Sequence, residues 1–236
     1  MTESQSPPTV FDFDVLAADY DSWYDTPDGR LYDILEKHAL RQLIGLVPSG
    51  HRLLEMGAGS GWWSQFFSEL GYRVTGVDVA PKMVAIARSK AIPEAHFGIA
   101  DAHRLPFADG SFDAAAAITS LEFTREPEQA LRELVRCVSP TGKLFLGVLN
   151  SEATINQLRQ EQGQGPFGPA RMFSAVELMQ LLSPFGTTTL RPCAFPQSTR
   201  LPPELATIAD DTQAEIGRTN GAFLAVEVDR CTRRQN

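Results

Sequence analysis

The feature that most constrains the fold is an alternation of short apolar runs with helical segments, which begins after Pro48 and continues to about residue 150. Strands that alternate with helices imply a parallel sheet covered on both faces. The sequence therefore predicts an α/β fold. In chain order, the runs and segments are HRLLEM, WWSQFFSEL, RVTGVDV, PKMVAIARSK, HFGIAD, FDAAAAIT, EQALRELVRCV and KLFLGVLN.

The flanking regions follow other patterns. From Asp12 to Val47, apolar residues recur at helical spacing, and TPDGR at 26–30 predicts a turn that divides this region into two helices. Later, Ser174 and Glu177 have the spacing of a capping box at the start of a helix. TTTLRPCAF and AFLAVEVDR then predict an antiparallel pair of closing strands at the sheet edge, separated by a partly helical insertion.

Composition and charge restrict the class of protein. A chain of 236 residues that is 43% hydrophobic and 21% charged fits one globular domain with a packed core. The formal net charge of −8 argues against nucleic acid as a partner, because binding to phosphate backbones depends on clustered Lys and Arg. The basic residues near the C-terminus, Arg230, Arg233 and Arg234, are interpreted as a solvated tail.

Cysteine usage and the N-terminus exclude further classes. Cys137, Cys193 and Cys231 are far apart and form no CxxC pair, so neither a metal site nor a disulfide framework is expected. The N-terminal stretch lacks a basic region followed by an apolar run, and no apolar run approaches the ~20 residues of a membrane-spanning helix. We therefore expect a cytoplasmic protein with no membrane partner.

A glycine-rich loop, GAGSG at 57–61, connects the first predicted strand to a helix. Such a loop lets the backbone approach a ligand closely and directs free N–H groups towards it. A dinucleotide fold would place its third glycine one position later, where Trp62 stands, which weakens an NAD or FAD interpretation. A P-loop is excluded because no Lys-Ser or Lys-Thr pair follows the last glycine.

Three acidic residues, Glu55, Asp78 and Asp101, end three successive predicted strands and so face the crevice where open α/β sheets bind ligands. A buried Glu55 would need a cationic or hydrogen-bonding partner. Asp78 could accept bonds from two ribose hydroxyls, and Asp101 could reach the amine of a base. The set favours an adenosine that carries a cationic amino acid. Taken singly, Asp78 and Asp101 could also be helix N-caps or turn residues.

These motifs together resemble those of the class I S-adenosylmethionine-dependent methyltransferases, in the small-molecule, methyltransferase type 11-like branch. The resemblance covers roughly residues 50–150 and rests on LLEMGAGSG, GVDVA, GIADAHRLPF, SFDAAAAITSLEF and TGKLFLGVLN. It implies a Rossmann-like fold: a mostly parallel seven-stranded sheet with an antiparallel edge strand, helices on both faces and an N-terminal helical cap.

The sequence patterns and the resemblance together predict a domain organisation. It consists of a disordered N-terminus at 1–9 and a single methyltransferase domain at 10–236, divided into an N-terminal helical cap at 10–47, a cofactor-binding core at 50–150, a lid-like insertion at 151–173, and a C-terminal helix with closing strands at 174–236.

The family's cofactor contacts can be transferred to matching positions of this chain, and S-adenosylmethionine is the implied cofactor. Gly57, Ala58 and Gly59 would contact its methionine part, Glu55 its ammonium group, Tyr20 its carboxylate and Asp78 its ribose hydroxyls. Val79 and Met83 would pack on the adenine, Asp101 and Ala102 would meet its polar edge, and Thr119 would contact the methionine part through its backbone.

The expected reaction is an in-line transfer of the methyl group to an unidentified small molecule, compact and partly aromatic or apolar. It needs mainly alignment of the acceptor and exclusion of water, so no catalytic side chain is required. His103 is a weak candidate for a general base by its chemistry alone, and a structural role on a surface turn is favoured. One of Trp62 and Trp63 is expected in the core and the other at the mouth of the acceptor site.

Two other functions remain open at this point. The absence of an evident base is compatible with a non-catalytic S-adenosylmethionine binder that acts as a sensor or scaffold. An NAD-dependent oxidoreductase is less favoured, although Asp78 would suit the ribose of either cofactor. The sequence does not identify the acceptor atom or the oligomeric state.

Overall fold

The structure, a computed structural model, describes residues 8–230. Within that range, seven strands form one sheet in the order β3-β2-β1-β4-β5-β7-β6. The first five strands and β6 run in one direction, and β7 runs opposite to its neighbours β5 and β6. The strands are β1 Arg52–Met56, β2 Arg73–Asp78, β3 Ala95–Ile99, β4 Phe112–Ile118, β5 Val138–Leu149, β6 Thr187–Cys193 and β7 Phe223–Asp229.

Eight α-helices occur in the same residues: α1 Ser22–Asp25, α2 Pro27–Ile44, α3 Trp62–Glu69, α4 Pro81–Ser89, α5 Pro127–Cys137, α6 Thr154–Glu161, α7 Ala175–Leu182 and α8 Pro203–Glu215. In the part of the chain that the structure describes, none of them combines the length and the apolar character that crossing a membrane requires.

Helices pack on both faces of the sheet, as predicted. Alternate residues of β4 point to opposite sides, so that Ala115 and Ala117 join a core with α5 and α7, and Ala114 and Ala116 join a core with α2 and α3. A strand buried on both faces must be apolar throughout, which explains the run AAAA in β4. The predicted α/β fold is therefore confirmed.

The C-terminal third also agrees with the sequence patterns. Ser174 caps α7 through a capping box, since its hydroxyl accepts from the backbone N–H of Glu177 and the Glu177 carboxylate accepts from the N–H of Ser174. The strands β6 and β7 form the predicted antiparallel pair, and α8 lies between them in sequence. The antiparallel strand β7 lies one position inside the edge, which β6 occupies.

The predicted division into two helices at 26–30 occurs, but it is confined to Thr26 and the rest of the stretch is helical. The helix α2 begins within it at Pro27, and Thr26 is its N-cap, whose hydroxyl accepts from the N–H of Gly29 at 2.9 Å. Proline fits the first turn of a helix because its missing N–H would have no partner there. The segment before α2 contains only a short 3₁₀ turn at Phe13–Val15 and the four-residue α1 rather than a long helix.

The disorder expected at 1–9 does not extend to its last two residues. Thr9 forms an antiparallel bridge with Thr124, and the carbonyl of Pro8 accepts from the N–H of Arg125. Residues 1–7 lie outside the described residues, as do Arg233, Arg234 and Cys231.

Candidate functional site

The strand order places the glycine loop beside the loop that follows β4. The neighbours β2 and β4 flank β1, so connections leave β1 and β4 in opposite directions, and this is where open α/β sheets bind ligands. Gly57 has a φ of +73° and Gly59 a φ of +52°. A Cβ on Gly57 would lie 2.4 Å from the Cβ of Ser120, whereas a Cβ on Gly59 would meet no atom within 4 Å. Only glycine allows this close contact between the loops, and open space remains beside Gly59.

Asp78 braces the glycine loop from the end of β2. One carboxylate oxygen accepts from the N–H of Gly59 at 2.8 Å and the other from the N–H of Ala80 at 2.8 Å. Burial raises the pKa of Asp78 above its usual range, although these backbone bonds oppose the rise. A carboxylate offers about four lone-pair positions, so roughly two remain for a ligand. Its role as a turn residue and a role in ligand binding are therefore compatible.

Asp101 lies on the same cleft after β3 and is held by His103. Its Oδ1 accepts from the backbone N–H of His103 at 2.9 Å and lies 2.7 Å from Nδ1 of the ring. The Asp101 side chain is 45% exposed, so the rest of its carboxylate is free to meet a ligand.

The same geometry argues against His103 as a general base. The N–H of Glu126 donates to its Nε2 at 3.2 Å, while Nδ1 donates to Asp101. These partners assign the proton to Nδ1 and occupy the lone pair on Nε2. The imidazole is a positioning group for Asp101, which agrees with the favoured structural role.

Glu55 lies beneath the glycine loop and outside the cleft wall. It is 2% exposed, and its Oε2 accepts a short hydrogen bond from the hydroxyl of Ser64. Burial raises the pKa of Glu55 to about 8, with the Ser64 hydrogen bond opposing the rise and the charge of Asp78 adding to it. The hydroxyl of Ser64, on α3, is a partner that the sequence patterns did not reveal.

A narrow cleft of about 70 Å³ brings together most of the proposed cofactor residues. Its wall contains Tyr20, Gly57, Gly59, Asp78, Val79, Met83, Asp101, Ala102 and Thr119, together with His103. Glu55 and Ala58 are not part of this wall. The sequence analysis missed Phe13, Ser120 and Phe123, which also line it and whose positions depend on how the N-terminal segment and the loop after β4 fold over the sheet.

A larger cavity of about 520 Å³ adjoins the cleft and shares Phe13, Tyr20, Thr119 and Phe123 with it. Its other walls come from α1, α2 and the insertion after β5. Seven of its eighteen lining residues are aromatic: besides the shared Phe13, Tyr20 and Phe123, these are Trp23, Tyr24, Tyr32 and Phe167. Of the two tryptophans at the start of α3, Trp63 is buried in the core, as expected. Trp62 does not line the cavity and instead stacks on Tyr24, with the ring centres 4.0 Å apart.

Two charged groups that sequence reasoning missed face this cavity. Burial raises the pKa of Glu36 to about 8, the charge of Asp33 raises it further, and the charge of Arg159 opposes the rise. The guanidinium of Arg159 lies 5.1 Å from the ring centre of Phe167 and 5.7 Å from those of Trp23 and Tyr32. No motif marks either residue, since both depend on packing between the cap and the insertion.

Comparisons with known proteins agree with this geometry. Residues 54–146 match the family model Methyltransf_11, a methyltransferase domain. An uncharacterised protein of Mycobacterium tuberculosis is 32% identical over 214 residues, which cover 89% of this chain and 70% of that protein. A demethylmenaquinone methyltransferase of Renibacterium salmoninarum is 33% identical over 139 residues, which cover 59% of this chain and 52% of the relative.

A solved structure resembles the whole fold. It is a SAM-dependent methyltransferase of Thermotoga maritima, described as a possible histamine N-methyltransferase, with a TM-score of 0.73 and 24% identity. The match covers 92% of this chain and 97% of that structure. It confirms the Rossmann-like arrangement of the sheet and helices.

Proposed function

This chain belongs to the class I S-adenosylmethionine-dependent methyltransferases, and on that premise we propose that it methylates a small molecule held in the 520 Å³ cavity. It is an enzyme whose methyl donor is S-adenosylmethionine. The observation that carries the proposal is the shared wall between this cavity and the cleft that contains Asp78 and the glycine loop. Matches to methyltransferases leave the nicotinamide alternative without support.

The chemistry of the cleft fits the cofactor. The open space at Gly59 admits a ligand against the backbone, and Asp78 and Asp101 offer acceptors for hydroxyl and amine donors. In the proposal, Asp78 holds the ribose hydroxyls, and Asp101 with Ala102 meets the polar edge of the adenine. Val79 and Met83 pack on its ring.

The methionine part is assigned to the glycine loop and to Thr119 and Tyr20, which also line the larger cavity. Gly57, Ala58 and Gly59 contact it through the backbone, as does Thr119. Tyr20, which lines the cleft, binds the carboxylate by donating from its hydroxyl, which is protonated at neutral pH as in any tyrosine. Glu55, which is 2% exposed and lies outside the cleft wall, meets the ammonium group through water rather than directly.

The residues of this chain act mainly by positioning. When bound, the cofactor supplies a methyl group on a positively charged sulfur, which makes it ready for displacement. The aromatic walls exclude water and align the acceptor, and alignment alone can supply a large part of the rate enhancement. His103 takes no part in proton transfer, because both of its ring nitrogens are occupied.

A small-molecule acceptor is supported by the size and the lining of the cavity. Its volume falls within the ~300–1,000 Å³ of typical small-molecule sites, and its aromatic wall suits a ring-bearing compound. The relative from Renibacterium salmoninarum is named for a small-molecule acceptor, demethylmenaquinone.

Replacing Asp78 tests the proposed cofactor site. Asp78→Ala removes charged acceptors that are worth about 1.5–3 kcal/mol per hydrogen bond, so affinity for S-adenosylhomocysteine in calorimetry should fall at least about tenfold. Asp113→Ala is the matched control. The carboxylate of Asp113 accepts from the N–H of Arg52 at the amino ends of β4 and β1, on the far side of the sheet from the cleft. Equal affinities of Asp78→Ala and Asp113→Ala would refute the assignment.

Product analysis tests the proposed acceptor class. Protein incubated with methyl-labelled S-adenosylmethionine and a cell extract should transfer the label to small molecules that gain the mass of one methyl group. Label found only in the protein or nucleic acid fraction would contradict the proposal. Tight cofactor binding without any labelled product would favour the sensor instead.

A further inference from the structure

The charges that face the acceptor cavity are predominantly negative. Asp19, Asp33 and Glu36 line it, against Arg159 as the cation. Asp33 is neutralised by Lys37 at 2.9 Å and accepts from the indole N–H of Trp62 at 2.7 Å. With Asp33 paired, Asp19 and Glu36 stand against Arg159, so the cavity offers one more carboxyl group than cations, and a cationic ligand would favour the charged form of Glu36.

Glu36 is the carboxyl group of this cavity that lacks a partner. It lies on α2 and is partly exposed, and the space that it faces is the cavity. Within residues 8–230, no hydrogen bond reaches its carboxyl group, and its interactions with Arg159 and Lys37 are electrostatic only. A carboxyl group removed from water without a donor is unfavourable, so a ligand that donates to it would be stabilised.

The aromatic wall is also suited to positive charge. Faces of Trp, Tyr and Phe attract cations within about 6 Å of the ring centre. Arg159 shows this in the cavity itself, because its guanidinium lies within that distance of Trp23, Tyr32 and Phe167. Rings of the same cavity that Arg159 leaves free include Phe13, Tyr20 and Phe123.

We propose that the acceptor is a ring-bearing amine, and that Glu36 selects it by binding its amino group. This inference rests on the proposed function and names the substrate class for the same cavity. The carboxyl group of Glu36 accepts a hydrogen bond from the amino group, and the surrounding rings pack on the apolar body of the amine. Asp19, nearer the exposed rim, adds to the attraction. Glu36 is thus a specificity-determining residue.

Three probes that share a phenyl ring and differ in their head group test the proposal: 2-phenylethylamine, 2-phenylethanol and 3-phenylpropanoate. Their affinities are measured by calorimetry on the protein loaded with S-adenosylhomocysteine. We expect the amine to bind at least about tenfold tighter than the alcohol or the carboxylate, because a hydrogen bond to a charged group is stronger than a neutral one.

Glu36→Gln should abolish this preference while keeping the shape of the cavity. Glu161→Gln is the control, since Glu161 is an exposed glutamate on α6 outside the cavity wall and should leave the preference unchanged. Should Glu36→Gln fail to fold, as judged by its thermal unfolding, the affinities of the unmodified protein decide alone.

The inference is overturned if the unmodified protein binds none of the probes, binds the alcohol or the carboxylate as tightly as the amine, or if Glu36→Gln retains the preference. Its failure is distinct from that of the proposed function. Methyl label in small molecules combined with no amine preference removes the inference alone, whereas label absent from all small molecules removes the proposed function.

Discussion

Glu122 is a buried glutamate whose carboxyl group keeps its proton at a higher pH than a glutamate in water. It is fully buried in the 3₁₀ turn Leu121–Phe123, and its Oε1 accepts from the N–H of Leu149 at 2.6 Å. Its Oε2 has no hydrogen-bond partner among residues 8–230. Burial raises the pKa of Glu122 to about 7. The native state therefore holds a proton that the unfolded chain releases at lower pH.

This shift predicts a pH dependence of stability. Because the folded-state pKa is raised, the contribution of Glu122 is present below its unfolded value of about 4.5 and is lost as pH rises through about 7. A shift of this size corresponds to about 3 kcal/mol at most. In urea unfolding, the free energy of unfolding should fall between pH 5 and pH 8 by about 2–3 kcal/mol less in Glu122→Gln than in the unmodified protein.

The absolute stability of Glu122→Gln should also fall at all pH values, since its buried amide gains an unsatisfied donor. Glu55 and Glu36 shift in the same direction, so a smaller decline should persist in the variant. The exposed Glu215→Gln on α8 is the control and should follow the unmodified protein. Parallel curves for Glu122→Gln and the unmodified protein would contradict the assignment.

At the scale of elements, the insertion after β5 is attached to the N-terminal cap through Arg159. Its guanidinium on α6 packs on Trp23 of α1 and Tyr32 of α2, and on Phe167 of the insertion itself. These contacts cross the acceptor cavity. Other contacts hold the same insertion to the sheet, because the buried Asn156 donates to the carbonyls of Asn150 and Ala222 and the N–H of Arg171 donates to the carbonyl of Glu122. The proposed lid motion of residues 151–173 is therefore confined to the part that Arg159 attaches to the cap.

Removing this contact should loosen the insertion locally. Arg159→Gln loses cation–π interactions worth roughly 0.5–1 kcal/mol each at exposed sites, so amide exchange in α6 and at Gly165–Phe167 should accelerate several-fold. Hydrogen-exchange mass spectrometry measures this. Arg41→Gln is the control, because it removes a similar cation–π contact outside the insertion: the guanidinium of Arg41 lies 5.3 Å from the ring centre of Phe66. Unchanged exchange in Arg159→Gln would show that other contacts hold the insertion.

The N-terminal cap is attached to the cofactor loop by a second set of contacts. Asp21 accepts from the hydroxyl of Ser60 at 2.5 Å and pairs with Lys90 at 2.6 Å, while Tyr24 stacks on Trp62. Because Tyr20 of the cap lines the cleft together with Asp78, these contacts fix one wall of the cleft.

At the scale of the whole molecule, cofactor binding should stabilise the fold. A ligand that binds only the native state at 100 times its Kd adds about 2.7 kcal/mol. For a chain of this size, each kcal/mol shifts Tm by about 2–4 °C, so S-adenosylhomocysteine should raise Tm by about 5–10 °C. NAD at the same concentration should have no effect. A shift with NAD and none with S-adenosylhomocysteine would contradict the cofactor assignment.

The sequence by itself determined the sheet, its helices and the meeting of the glycine loop with Asp78 and Asp101 at the carboxyl ends of the strands. These depend on local signals: apolar runs of strand length, the glycines at 57 and 59, and acids such as Asp78 and Asp101 at strand ends. Parallel strands bring their carboxyl ends to one edge, so the spacing of residues along the chain already specifies their neighbours in space. The capping box at Ser174 was predictable for the same reason.

Only the tertiary structure decided the acceptor cavity. Glu36 and Arg159 lie far apart in sequence, on a cap helix and on the insertion, and no periodicity indicates that they face one space. The occupied ring nitrogens of His103 and the use of Thr26 as an N-cap likewise depend on partners that the packing supplies. The contacts proposed for the cofactor depend on backbone geometry that a local motif encodes. Those proposed for the acceptor depend on long-range packing, because they lie where separate elements of the chain meet.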